Sequence, residues 1–235
     1  MHPTREAGTG TAAELAGRAL RPLGPLLARH GLWLGLAVVG DPVAVAAGPG
    51  ELRLAQGMSV TRRRDFLAGR CAARRALAAA GLPGGEILRH GRRPLLPPGS
   101  TGSISHSGGL AVALVADRAR YRALGCDLEL RGLPLDAAHL VLGADERLWT
   151  AGAPDRAACE QRLLAAFSAK EAALKAFTAL LPNADAPTTL LAVTTRPAPW
   201  GFRARPVHPR AAAAEAAVRV RRAGPGVFSW TAVVA

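Results

Sequence analysis

Two long runs rich in alanine, leucine and arginine, near residues 59–81 and 154–181, constrain this chain more than any other feature. The first, "SVTRRRDFLAGRCAARRALAAAGLPGG", offers Ser59 or Thr61 as a helix N-cap and Gly81 with Pro83 as a stop. Phe66, Ala73 and Leu77 recur in it at helical spacing and are expected to face the core. The second, "PDRAACEQRLLAAFSAKEAALKAFTALL", reads as another long helix, open to an interruption near its middle and ended by Pro182. Short apolar segments accompany both: 32–39, 110–116 and 124–130, then "TTLLAVTT", "WGFRARPV", "AEAAVRVRRA" and "GVFSWTAVVA", parted by Pro and Gly turns. One long helix with several short strands in each half predicts an α+β fold of two similar modules, 1–118 and 119–235, although no sequence repeat links them. Residues 1–12 read as a loose tail, "DPVAVAAGPGELRLAQ" as loop and short extended pieces, 90–109 as a Gly/Pro/Ser loop tract, and 117–123 as a polar hinge.

Hydrophobic residues make up 49 % of the chain, yet only ten residues are Phe, Trp or Tyr, so Ala, Leu and Val carry the core; this suits α/β packing and argues against disorder. The formal net charge of +13 either serves solubility alone or points to a polyanionic ligand, an acidic partner protein or nucleic acid. Cys71, Cys126 and Cys159 are far apart and lack CxxC spacing, which argues against a disulfide framework or zinc site and for a reducing cytoplasm. "GLWLGLAVVG" (31–40) is too short to span a membrane and starts too late for a signal peptide, so it reads as a buried strand.

Candidate chemistry falls on few residues. Asp127 and Glu129 stand two apart on a strand and so share a face, with Cys126, Leu128 and Leu130 on the other. They are either solvated acids of an edge strand or ligands of a hard cation. Glu171 and Lys175 lie at i and i+4 on the second helix, the favourable order for a surface ion pair. However, Lys170 and Lys175 are the chain's two lysines against 28 arginines, and both flank this acid in sequence. An ammonium and a guanidinium are not interchangeable at a phosphate or catalytic site. Three carboxylates without thiol or imidazole ligands favour Mg²⁺, which completes its shell with water and substrate phosphates. Between Arg62 and Arg93 nine arginines face two acids, with Arg63, Arg70 and Arg74 on roughly one helix face. "GSISHSGG" adds Ser105 and His106, either as an oxyanion cradle or as an ordinary turn. The motifs GxxxxGK[ST], GxGxxG and GxSxG are absent.

As a set, these pieces resemble the 4′-phosphopantetheinyl transferase superfamily. "GCDLEL" and "FSAKEAALKAF" look like its paired signatures, and "RRRDFLAGRCAARRAL" with "RRPLLPPGSTGSISHS" look like the upstream signatures of its larger single-chain branch, which includes enterobactin synthase component D proteins. The resemblance covers roughly residues 60–180. It implies two α/β halves related by a pseudo-twofold, each a small mainly antiparallel sheet on a long helix, with coenzyme A (CoA) in the cleft between them. The implied reaction is Mg²⁺-dependent, with Mn²⁺ as the alternative ion. It moves the phosphopantetheine arm of CoA to a serine of an apo acyl or peptidyl carrier protein and leaves adenosine 3′,5′-bisphosphate. By position, Asp127, Glu129 and Glu171 are implied to hold the metal, Glu171 to act as base, Lys175 to bind pyrophosphate and Lys170 to orient the site. Arg62, Arg70, Arg92, Arg93, Ser105 and His106 are implied to grip the CoA phosphates, with Arg63 and Arg64 as neighbouring choices to Arg62. Implied partners are CoA and an acidic carrier of fatty-acid, polyketide, nonribosomal peptide or siderophore assembly, met around 139–149 and the second helix. The protein is expected to be a cytoplasmic monomer that binds neither nucleic acid nor membrane. Leu96, Cys126, Leu128 and Phe167 depart from the family pattern in apolar positions beside the chemistry.

Two rivals remain on sequence grounds. A nucleic-acid binder would explain the charge, but the arginine cluster carries only Phe66 where single-strand binders interleave aromatics. A CoA-binding fold without activity would have had no need to retain three acids and both lysines.

Overall fold

The computed structural model describes residues 10–211 and 213–235. Thr11 caps α1 (Ala12–Leu20) through a capping box with Glu14, so the helix begins inside the expected tail, of which residues 1–9 lie outside the described residues. After α2 (Leu23–Ala28) comes β1 (Leu32–Val38). The segment read as loop and short extended pieces instead contains α3 (Pro49–Gln56), with Pro49 in the first turn, where its missing N–H costs nothing. Ser59 is the N-cap of α4 (Val60–Ala79), and Phe66, Ala73 and Leu77 are buried as the spacing required.

The 90–109 tract is mostly strand rather than loop. Short β2 (Leu88–His90) and β3 (Arg93–Leu95) form a small ribbon, and β4 (Ser100–Ser107) pairs along its full length with β5 (Leu110–Asp117). The "SGG" that suggested a loop supplies the two-residue hairpin turn, with Gly108 and Gly109 at φ 54° and 87°, the left-handed pair such a turn demands. The polar hinge shrinks to the turn before β6 (Tyr121–Glu129). Small α5 (Ala138–Val141) and α6 (Ala144–Ala151) lead into α7 (Arg156–Leu180), which runs 25 residues without interruption. The chain ends with β7 (Val193–Ala198), β8 (Gly201–Pro206), β9 (Ala216–Ala223) and β10 (Gly226–Val234).

The molecule is therefore α+β, with antiparallel sheets of order β1-β5-β4 and β6-β10-β9-β8-β7. In each, the first strand carries a glycine where the long helix crosses it. A Cβ on Gly35 would lie 1.9 Å from the Ala72 carbonyl oxygen of α4, and one on Gly125 would lie 1.8 Å from the Ala172 oxygen of α7. Alanines 72, 73 and 76, then 172, 173 and 176, allow this close approach of helix to strand and are fully buried.

The sheets meet where β4 runs beside β6. Ser103, Ser105 and Ser107 alternate along β4 and so point one way, toward β6. The Ser103 hydroxyl accepts from the Cys126 N–H at 3.0 Å, and the Ser107 hydroxyl accepts from the Leu130 N–H at 3.0 Å. This seam puts the acids of β6 next to the N-terminal half.

Candidate active site

Asp127 and Glu129 leave β6 on the face turned to α7, while Cys126, Leu128 and Leu130 fill the apolar core opposite, as alternation required. The Cys126 thiol is fully buried, and burial pushes its pKa up to about 11, which removes it as a nucleophile.

The acids are embedded in the serine seam. Asp127 Oδ1 accepts from Ser105 Oγ at 2.9 Å and from Lys175 Nζ at 2.9 Å. Lys175 also donates to Ser105 Oγ at 3.2 Å and to the Cys126 carbonyl at 3.0 Å. Glu129 Oε1 accepts from Ser107 Oγ at 2.6 Å and the Arg131 N–H at 3.0 Å. The i,i+4 surface pair with Glu171 does not form; Lys175 instead reaches across the helix–sheet gap to Asp127. Burial pulls the Lys175 pKa down, but Asp127, Cys126 and Glu171 outweigh it and leave the ammonium above its ordinary value.

Glu171 sits in the same field. Burial raises its pKa, Lys175 opposes the rise, Asp127 and Glu129 add to it, and Arg92 works against it.

Basic groups of the first half border this patch. Arg62, in the first turn of α4, donates from Nη1 to His106 Nε2 at 3.2 Å, and His106 Nδ1 stands 3.8 Å from Asp65 Oδ2. This network assigns the ring proton to Nδ1. Burial lowers the His106 pKa, with Asp65 opposing and Arg62 and Lys175 reinforcing. Arg93 donates to the Thr178 carbonyl of α7 at 3.1 Å, a direct tie between the two halves.

Four of the candidate cations stand apart from this group. Arg70 is buried and donates to the carbonyls of Ile87 at 2.9 Å and Leu88 at 3.2 Å, with its guanidinium over the Phe66 ring. Arg63 and Arg74 turn to α3, Arg63 to the Ala55 and Gln56 carbonyls and Arg74 to Glu51. Lys170 does not bracket Glu171 in space. It is 1 % exposed and pairs with Glu146 of α6, whose other oxygen accepts from the Thr195 N–H and hydroxyl. The sequence reading missed Glu146, Ser107 and Asp65; the serine alternation 103-105-107 was the legible signal for the second of them.

No three His, Cys, Asp or Glu side chains among the described residues are gathered as a ready-made metal site. The donor chemistry nonetheless fits a hard cation. Asp127 Oδ2 is buried without a hydrogen-bond partner, a spare anionic acceptor that a native structure rarely leaves idle.

Residues 51–116, which hold most of α3, all of α4 and most of the first sheet, match the 4′-phosphopantetheinyl transferase N-terminal domain family. The chain is 38 % identical over 138 residues to 4′-phosphopantetheinyl transferase Npt of Nocardia iowensis, a match that covers 58 % of this chain and 61 % of that protein. It is 38 % identical over 142 residues to 4′-phosphopantetheinyl transferase Svp of Streptomyces mobaraensis, covering 58 % and 56 % of the two. It is 36 % identical over 131 residues to enterobactin synthase component D of Salmonella typhi, covering 53 % of each. The chain thus spans about half to three fifths of the curated relatives it matches. What the chain is similar to in these matches is 4′-phosphopantetheinyl transferases, over residues 51–116 in the family comparison. No helix among the described residues is long and apolar enough to cross a membrane.

Proposed function

We propose that this protein transfers the 4′-phosphopantetheine arm of CoA to a serine hydroxyl of an apo carrier protein and releases adenosine 3′,5′-bisphosphate. The observation that carries the reading is the Lys175–Asp127–Ser105 cluster beside Glu171, at the seam between the two sheets. The halves are taken as 1–118 and 119–235, related by a pseudo-twofold and flanking the CoA cleft; their matching strand orders, β1-β5-β4 and β6-β10-β9, support this.

Asp127, Glu129 and Glu171 would hold Mg²⁺ or Mn²⁺, which would supply charge neutralisation at the pyrophosphate. The Lys175 ammonium neutralises the same phosphates, with Arg62, Arg92, Arg93, Ser105 and His106 gripping the rest of the anion. Glu171 takes the proton of the carrier serine as its oxygen bonds to phosphorus. The phosphorus–oxygen bond to the nucleotide breaks, and the leaving phosphate keeps the electron pair. Lys170 acts through position: its ion pair with Glu146 fixes α7 against α6 and β7 and thereby aims Glu171. Arg70 supports the first half by holding the 87–88 backbone.

The carrier is acidic and approaches a positive surface, which would make encounter salt-sensitive. Leu140 and Leu148, 63 % and 73 % exposed on α5 and α6, offer it apolar contact in the 139–149 stretch. Intact-mass measurement of apo acyl and peptidyl carriers incubated with this protein, CoA and Mg²⁺ tests the reading. A shift by the phosphopantetheine mass is expected, and no shift on any carrier class would overturn it.

A further inference from the structure

The second sheet has two different faces. Val193, Thr195, Phe202, Ala204, Ala216 and Val218 point toward α7 and are buried. Alternate residues on the other face of β7, β8 and β9 are Arg196, Arg203, Arg205, Arg219 and Arg221, all exposed, with Thr194 and Ala217 between them. Helix α1 packs against the Ala223 end of β9, and the five arginines stay exposed beyond it.

Two features separate this array from ordinary solvated charge. Arg196 and Arg203 are directly opposite across β7 and β8, and like charges in such a pair oppose folding. The face also shows how it takes a carboxylate. Glu215 is held between Arg203, at 3.1 Å, and Arg205, at 2.6 Å, whereas Arg196, Arg219 and Arg221 have no acid partner among the described residues. A shallow cleft of about 330 Å³ lies among Thr194, Arg196, Arg203, Arg205 and Glu215. Phe228 and Trp230, opposite Arg221 and Arg219 on β10, are buried, and Trp200 is half-buried with the Arg219 guanidinium over its ring, so the aromatics beside these arginines offer no open platform for stacked bases.

We propose that the outer face of β7, β8 and β9 docks a carboxylate-rich segment of an acidic protein. Fork-shaped guanidiniums at strand spacing accept side-chain carboxylates as Glu215 already shows, and an acidic partner relieves the Arg196–Arg203 repulsion. The surface lies on the side of the sheet away from Glu171 and Lys175, and it does not depend on the transferase reading.

The test is fluorescence anisotropy of a labelled oligoglutamate at low ionic strength, without CoA. The triple variant R196Q/R219Q/R221Q is expected to bind about tenfold more weakly than the wild type, and R18Q/R21Q/R118Q, equal in charge removed, less than about twofold more weakly. Glu215→Gln frees Arg203 and Arg205 and is expected to tighten binding. Equal losses in the two triple variants, or no tightening in Glu215→Gln, would reduce the face to net charge and overturn the proposal. Tighter binding of a single-stranded RNA oligonucleotide or of phosphatidylserine vesicles through the same arginines would overturn it as well.

Discussion

Lys175 of α7 donates to Asp127 of β6 across 2.9 Å, although 48 residues separate them in the chain. The contact closes helix onto sheet at the point where Ser105 of the other half also reaches the same carboxylate oxygen. Three elements are thus locked around one anion, and removing the cation leaves Asp127 buried and uncompensated.

Replacing Lys175 should weaken CoA binding by about tenfold or more, because the ammonium proposed to neutralise the pyrophosphate is lost. Lys175→Arg should fail nearly as badly as Lys175→Ala, because a planar fork cannot take the place of an ammonium among Asp127 Oδ1, Ser105 Oγ and the Cys126 carbonyl. Calorimetric titration of CoA into both variants checks this; wild-type affinity in Lys175→Arg would contradict it.

The buried Lys170–Glu146 pair yields a stability prediction. Burial lowers the Lys170 pKa, with Glu146 holding it up, so the ammonium depends on its partner. Lys170→Met should cost about 3 kcal/mol by stranding the Glu146 carboxylate. The double variant Lys170→Met/Glu146→Gln should recover part of that loss in urea unfolding, which additive losses would contradict.

Gly125 should tolerate no side chain. Gly125→Ala would drive a methyl group into the Ala172 carbonyl, and Gly35→Ala would do the same at Ala72. Each should destabilise by roughly 3 kcal/mol or prevent folding, since backbone rather than a flexible side chain must move. Thermal unfolding of the two variants, with Gly132→Ala as the unhindered control, reads the effect.

His106 should give the fold an acid sensitivity. Its pKa is lowered by burial, opposed by Asp65 and assisted by Arg62 and Lys175. Between the ordinary value of 6.5 and the lower folded value the unfolded chain binds more protons, so stability falls as pH falls through that window. His106→Gln should flatten this slope. An NMR titration that places His106 at or above 6.5 would contradict it.

Much of this was legible in the sequence, for reasons that can be named. The two long helices announced themselves through Ser59, Gly81 and Pro182, and the shared face of Asp127 and Glu129 follows from strand alternation alone. The β4 strand was not legible, because "STGSISHS" has none of the apolar alternation of a strand. Its serines are buried by hydrogen bonds to β6, a tertiary contact that local pattern cannot express. Helix α3 was hidden by the glycines and prolines before it. The lysines drew attention by their rarity, but their positions five apart did not reveal that they point to different partners. Only the packing of α6 and β7 against α7 sends Lys170 to Glu146 and away from Glu171.

The central claim is that Glu171 performs proton transfer for phosphopantetheinylation while other groups bind the CoA. Glu171→Gln keeps the side chain's shape but removes the base and, with it, one of the three carboxylates proposed to hold the metal. Intact-mass analysis of an apo carrier with CoA and Mg²⁺, run beside a CoA titration, measures both properties at once. The expected result is full carrier modification by the wild type and none by Glu171→Gln, with CoA binding retained. Carrier modification by Glu171→Gln at the wild-type rate would contradict the account.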